Sequence, residues 1–281
     1  MLQGSPSRTA LGAAAHRAAH QVLEQGRIFS DPLALRILGA DAEEAVRIAE
    51  TDLSRRRLRL FIAVRSRFAE DALTVAVERG VRQVVVLGAG LDTYAYRTSV
   101  GDRLSIFEVD HPATQAWKRD RLAEASIPVP PNLTFAPADF ERETLADALS
   151  SSVFDSAQPT FFTWLGVVPY LTEQAFFSTL GFIAGLPGGA HVAFDYRNPQ
   201  TSDDHSAARE ALAARVASVG ESFRSHYDTA ALHARLVAMG LQVVDDIGPA
   251  LIRERYFGNR GGSTSNNGGH VIYTSTICPE Q

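Results

Sequence analysis

The sequence predicts an α/β fold: a mostly parallel sheet, an N-terminal helical cap and an insertion after the fifth strand. Three observations predict it. Short β-branched or aromatic runs without polar alternation recur from residue 82 onward, as strands covered on both faces require. Helix-patterned segments separate most of these runs, which argues for parallel strands joined by crossover helices. The last two runs have no helical pattern between them and read as an antiparallel hairpin.

The elements follow in chain order. Residues 1–80 form the helical cap, and 81–281 form the sheet-bearing core. "SRTALGAAAHRAAHQVLEQG", residues 7–26, is an Ala-rich helix that Ser7 or Thr9 can cap and Gly26 can end. "LALRILGADAEEAVRIAE" and "RRRLRLFIAVRSRFAEDALTVAVERG" place apolar residues three and four apart, so they read as helices. Strand-like runs follow at 82–88, 104–110, 133–139, 160–166 and 190–196. Residues 241–248 and 269–277 make the terminal hairpin, joined through the loop-like "FGNRGGSTSNNGG". The insertion at 197–226 starts polar and turns helical. It stands where open sheets build ligand sites.

Composition narrows the function class. The net charge is −5 and no Lys/Arg run suggests a nucleic-acid face. The single cysteine, Cys278, can form neither an internal disulfide nor a Cys cluster for a metal. A reducing, cytoplasmic compartment fits. No window suits a membrane span, and His16, Arg17 and His20 interrupt the N-terminal stretch before it could act as a signal peptide. The expected partner is a small molecule, with neither nucleic acid nor membrane involved. Composition leaves the oligomeric state open.

The chemistry sits at "VVVLGAGLDT", residues 84–93. Glycines in a strand–turn–helix unit let the backbone approach a nucleoside without a Cβ clash, and Gly88 and Gly90 supply them. A dinucleotide fingerprint wants Gly or Ala at position 93. This chain has Thr93, with Asp92 beside it, which suits a pyrophosphate poorly. S-adenosyl-L-methionine has no phosphate, and its ammonium can be met by carbonyls and carboxylates near the turn. An acid is also needed about 20 residues on, at the end of the next strand, for the ribose hydroxyls. Asp110 meets that spacing, and Glu108, on the same strand face, is the reserve.

"RSRFAEDAL", "VVVLGAGLDTYAYR", "FEVDHPATQAWKRDRL", "PADFER" and "FTWLGVVPYLTEQAF" occur in that order, after the N-terminal "FSDPLA". Together they resemble the leucine carboxyl methyltransferase-like family, which includes bacterial homologues and polyketide carboxyl O-methyltransferases. The resemblance implies a class I methyltransferase with a Rossmann-like sheet and S-adenosyl-L-methionine as methyl donor. It implies that an arginine before the first strand, Arg65 or in the alternative Arg67, meets the methionine carboxylate. It assigns Gly88 and Gly90 to the turn, Asp110 to the ribose, and Asp139 and Phe140 to the adenine. One departure stands out: some members carry a glutamate where this chain has Leu165.

For the acceptor, residues past the carboxyl ends of the fourth and fifth strands are the candidates: Tyr170, Tyr196 and Arg197. His205 and His226, in the insertion, can also face a substrate. His111 reads as a turn residue, and His191 opens the fifth strand far from its carboxyl end. No metal-ligand or Ser-His-Asp spacing competes. The leading expectation is O-methylation of a small molecule at a carboxylate. A phenolic or hydroxyl acceptor is the alternative. Leu165 leaves room for a homologue that binds the cofactor without turnover. Thr93 and the terminal hairpin argue against a nicotinamide oxidoreductase.

Overall fold

The computed structural model describes residues 7–139, 143–198, 223–258 and 268–276. Most of the expected insertion, together with Phe140 and His205, lies outside the described residues.

The N-terminal helices are α1 (Arg8–Leu23), α2 (Ala34–Leu38), α3 (Asp41–Thr51) and α4 (Arg56–Glu78). Ser7 is the residue that caps α1, its Oγ accepting the Ala10 N–H at 3.1 Å. The segment read as one helix over 33–50 is two, because the chain turns at Gly39. Two of the three polar residues that interrupt α1, Arg17 and His20, face inward rather than to solvent, and His16 is half-buried. Arg17 is buried against Asp31, and His20 is buried beside Glu24. Glu24 in turn receives a two-pronged bond from Arg59, at 2.9 and 2.8 Å, tying α1 to α4.

The strands are β1 (Gln83–Leu87), β2 (Ser105–Asp110), β3 (Leu133–Pro137), β4 (Thr160–Trp164), β5 (Ala190–Arg197), β6 (Leu241–Ile247) and β7 (Gly269–Thr276). They form one sheet in the order β3-β2-β1-β4-β5-β7-β6. The first five pair in parallel, and β7 runs antiparallel to both β5 and β6. Between them lie α5 (Tyr94–Arg97), α6 (Pro112–Glu124), α7 (Leu145–Ser150), α8 (Glu173–Ala184), α9 (Thr229–Ala238) and α10 (Pro249–Phe257).

The antiparallel pairing of β6 with β7 forms as expected, but it is not a plain hairpin. Helix α10, "PALIRERYF", lies in the connection. Only Ile252 of it is buried, so its apolar stripe is too thin to read as a helix. Its sequence signals were the proline in its first turn and Gly258 just past its end.

Alternation along the strands divides the core. Val85, Leu87, Phe107, Phe162, Phe194 and Tyr196 face α7, α8 and α9. Val84, Val86, Ile106, Phe161 and Ala193 face α4, the long helix of the cap. A smaller cluster joins Ala14, Ala18, Ile37 and Leu38 of the cap to Leu91 and Leu122. The cap is thereby seated at the end of the sheet where the glycine turn emerges.

Candidate cofactor and acceptor site

The register fixes the first half of the site. Leu87 pairs with Val109, so Gly88 and Asp110 leave the sheet side by side. Gly88 and Gly90 both adopt positive φ, 63° and 46°, which L side chains rarely take. Space at the turn is also short. A Cβ on Gly88 would collide with Val167, and one on Gly90 would fall 2.8 Å from the Cβ of Ala10 in α1.

Asp110 sits beside the turn. One carboxylate oxygen accepts the Gly90 N–H at 2.5 Å and the other the His111 N–H at 2.7 Å. Burial pushes its carboxyl above the ordinary aspartate value, while these backbone donors pull the other way. His111 caps α6, its Nδ1 accepting the Ala113 N–H at 3.2 Å, and so fills the turn role expected of it. Asp139 stands two residues past Pro137, the register partner of Asp110, which puts it at the same end of the sheet.

Glu108, the reserve ribose candidate, is corrected by the structure. Its side chain is fully buried, 2.7 Å from the Lys118 ammonium. Burial pushes it up to about 7 against the pull of Lys118. Lying one pleat deeper than Asp110, it meets α6 instead of the mouth of the sheet.

The two candidate arginines separate cleanly. Arg65 lies on the inward stripe of α4 with Ile62, Ala69 and Leu73 and is buried. Two residues on, a helix has turned about 200°. Arg67 therefore faces out, bonded to Asp71 on an exposed surface. The alternative assignment to Arg67 is corrected for that reason. Arg65 donates through Nη1 to Asp195 of β5 at 3.0 Å, and its buried Nε has no hydrogen-bond partner. Asp195 also accepts the Gly166 N–H. Gly166 lies so close over Arg65 that a Cβ there would fall 2.5 Å from Nη2.

A cavity of about 20 Å³ is lined from α4 by Ser66, Ala69 and Glu70, from the segment after the glycines by Asp92 and Tyr94, and from the end of β4 by Thr163 and Leu165. That is room for about one water. Two of its walls are carboxylates. Burial raises Glu70 against the pull of the Arg97 guanidinium that binds it, and Asp92 and Asp31 add to the rise. Leu165 lines this cavity directly.

Buried charges fasten the cap to the turn. Arg17 donates to the Leu91 carbonyl at 2.5 Å and to Asp31 at 3.2 Å. Arg97, from the single helical turn after the glycines, binds Glu70 and lies over Phe29. Asp31, Glu70, Arg97 and Asp195 were not singled out from sequence, and Arg17 only as a polar break in the N-terminal stretch. A signal was present for Asp195: a lone acid in the apolar run "AHVAFDY" has to find a partner.

These features fit S-adenosyl-L-methionine. Arg65 offers an unpartnered buried donor for a carboxylate, Glu70 and Asp92 offer negative charge for an ammonium, and the glycines put no Cβ of their own in a nucleoside's way, with Ala10 and Val167 lying against them. They suit a pyrophosphate poorly. Helix α5 is only four residues long, so no extended helix dipole points at the turn.

The residues expected to meet an acceptor lie past the carboxyl ends of β4 and β5. Tyr170 stacks on Phe223 with ring centroids 5.4 Å apart, and the Arg197 guanidinium lies 4.2 Å over the other residue of that stack, Phe223. Backbone bonds hold the strip in place: Arg224 N–H to the Pro169 carbonyl and Tyr227 N–H to the Arg197 carbonyl. His226 is exposed beside Tyr227. Phe223 was missed because nothing in sequence pairs it with residues 26 and 53 positions away.

Tyr196 does not join this group, which corrects its expected substrate role. It points to the opposite face, where its hydroxyl meets Asp246 at 2.7 Å, Thr229 at 2.9 Å and His270 at 3.1 Å. Strand alternation sends Asp195 and Arg197 to one side and Tyr196 to the other. His191 is remote as expected, bonded to Tyr273 at 2.8 Å.

Residues 10–184 match the family Leucine carboxyl methyltransferase. YktD of Bacillus subtilis, an S-adenosyl-L-methionine-dependent methyltransferase by name, is 32% identical over 200 residues, covering 70% of this chain and 66% of YktD. A Mycolicibacterium paratuberculosis protein, likewise such a methyltransferase by name, is 31% identical, covering 73% of this chain and 68% of its own length. The chain thus spans about two thirds of the length of these relatives. Among solved structures, a Thermobifida fusca protein described as a methyltransferase superposes with a TM-score of 0.57 at 17% identity, covering 99% of this chain and 97% of that one. A Streptomyces avermitilis protein of the DUF574 family gives 0.54 at 15%, covering 94% and 97%. These two likenesses show the fold, that of the class I methyltransferases. The chain belongs to the leucine carboxyl methyltransferase family of S-adenosyl-L-methionine-dependent methyltransferases.

Proposed function

We propose that this chain moves the methyl group of S-adenosyl-L-methionine to an oxygen of a small molecule, and that the oxygen belongs to a carboxylate. The bound cofactor supplies an electrophilic methyl on a sulfonium. The protein's part is then to align the acceptor and exclude water. The observation that carries the reading is the Tyr170–Phe223–Arg197 stack. A guanidinium laid on an aromatic ring keeps a rigid, planar donor fork, the shape that suits a carboxylate. The stack lies at the carboxyl ends of β4 and β5, on the same end of the sheet as the glycine turn. An acceptor carboxylate, with a pKa near 4, is ionised at neutral pH and needs no general base.

A phenolic acceptor is the second reading, and His226 is what favours it. This exposed histidine stands next to Tyr227, whose N–H binds the Arg197 carbonyl. It could take a proton from a phenol. Product chemistry separates the two. A methyl ester releases methanol in mild alkali, whereas an aryl methyl ether survives. Incubating the enzyme with labelled cofactor and a panel of aromatic and aliphatic acids, then treating the product with alkali, tests the carboxylate reading. A methylated product stable to alkali would refute it and leave the cofactor reading intact.

A further inference from the structure

We propose that Asp195 is a positioning residue for the cofactor: it clamps Arg65 against the Gly166 backbone and so aims the guanidinium at the methionine carboxylate. The proposal rests on the assignment of Arg65 to that carboxylate.

Three elements meet at this carboxylate. Arg65 comes from α4, Gly166 from the turn after β4, and Asp195 from β5. One Asp195 oxygen accepts Arg65 Nη1–H at 3.0 Å, and the other accepts the Gly166 N–H. Both partners are therefore set by one rigid planar group on a central strand. Gly166 completes the clamp by having no side chain: a Cβ would sit 2.5 Å from Nη2 and 3.0 Å from Nη1. The guanidinium cannot swing toward Gly166 and cannot leave Asp195 without becoming an unpaired buried charge.

A purely structural ion pair would be expected to satisfy its donors. This one does not, because Arg65 Nε–H is buried with no acceptor. A buried orphan donor is costly, so its persistence on α4, where the following residues Ser66, Ala69 and Glu70 wall the cavity, marks a place kept for an acceptor. The missing partner must be a hydrogen-bond acceptor, since guanidinium offers only donors, and an anion is the acceptor that best suits its charge. In a bound S-adenosyl-L-methionine the carboxylate is the anionic group. Asp195 thus acts through Arg65 and does not touch the cofactor.

The test compares two ligands. S-adenosylhomocysteine carries the amino-acid carboxylate. 5′-Methylthioadenosine carries the same nucleoside and thioether without it. Both are titrated by calorimetry into the full chain and into Arg65→Ala, Asp195→Asn and the double variant. The expected result is about a tenfold or greater loss of S-adenosylhomocysteine affinity in Arg65→Ala. Asp195→Asn should lose roughly threefold to tenfold on the same scale. Both should bind 5′-methylthioadenosine within about twofold of the parent, and the double variant should bind no worse than Arg65→Ala alone. A merely structural role for Asp195 would weaken both ligands alike, or neither.

Selective loss in Arg65→Ala with parental behaviour of Asp195→Asn overturns the clamp but keeps the Arg65 assignment. No selective loss in Arg65→Ala overturns that assignment, and the clamp with it. If Asp195→Asn fails to fold, Asp195→Glu serves instead, since it keeps the charge while moving the carboxylate by one methylene and leaves Arg65 itself unchanged. Selective loss of S-adenosylhomocysteine supports the clamp, and parental selectivity overturns it.

Discussion

The Asp110 carboxylate accepts the Gly90 backbone N–H at 2.5 Å, across 20 residues of chain. The acid expected to hold the ribose is therefore also the acid that shapes the turn beneath it. Its second oxygen holds the His111 N–H, which begins α6. One buried side chain thus couples the end of β2, the glycine turn and the next helix.

That dual use sets apart the two acids of "FEVD". Asp110→Ala is expected to weaken S-adenosylhomocysteine binding by about 1–3 kcal/mol, because a charged partner of two hydroxyls is lost. Glu108→Gln should leave that affinity unchanged within experimental error. It should lower folding stability by about 3 kcal/mol instead, since Lys118 would be left buried without its counter-charge. Calorimetry and denaturant titration on both variants check this. Parental affinity in Asp110→Ala would remove the ribose assignment.

Ala10 of α1 rests on Gly90, and Val167 rests on Gly88, so a nucleoside lying on the turn has to displace them and be covered in return. Behind them α1 is held by buried Arg17. We expect cofactor binding to slow amide exchange across residues 8–16, where α1 crosses the turn, more than at 17–23. Gly90→Ala should cost about 1–2 kcal/mol from its left-handed backbone and speed exchange in the same stretch. Exchange there that ignores both ligand and variant would leave α1 as plain packing.

The polar cluster around Asp246 gives a pH-dependent expectation. Burial alone would raise this carboxyl, but hydrogen bonds from His270, Tyr196 and His233 outweigh it and hold the group below the ordinary aspartate value. A depressed folded-state pKa stabilises the protein above the unfolded value, near 3.9, and that contribution disappears as pH falls through the lower folded value. Tyr196→Phe removes one of the three donors. It should cost about 1–3 kcal/mol at pH 7 and distinctly less at pH 3. Denaturant midpoints at the two pH values measure it. The same variant should keep the parental KM for the acceptor, because Tyr196 faces away from the Tyr170–Phe223 stack.

Arg197 should govern acceptor binding. Arg197→Ala is expected to raise KM for a carboxylate acceptor about tenfold or more, equivalent to one charge-assisted hydrogen bond, with cofactor affinity unchanged. For such an acceptor the single-turnover rate should be nearly flat from about pH 6 to 9, because the nucleophile is already ionised. A phenol would give a rate that climbs with pH, or one that follows the titration of a histidine and disappears in His226→Ala.

Much of this protein was legible in its residues. The five parallel strands are continuous apolar runs, since a strand covered on both faces has no solvent side to write in polar residues. The turn could be read because backbone geometry demands Gly88 and Gly90, and Asp110 because chain spacing brings the end of β2 beside them. These are local or periodic constraints, and a linear sequence carries them. Arg65 and Arg67 both stood as candidates by resemblance, and the packing of α4, with Ile62, Ala69 and Leu73 inward, turns the first inward and the second out. What the sequence could not decide is which distant groups meet. Asp195 reaches Arg65 across 130 residues, and Tyr170 reaches Phe223 across 53. Tyr196 turned from an expected substrate contact into a partner of Asp246 because neighbours on a strand face opposite sides of the sheet. Such meetings are fixed by strand order, helix seating and the cost of leaving a buried charge or donor alone. Only the packed tertiary structure settles those terms.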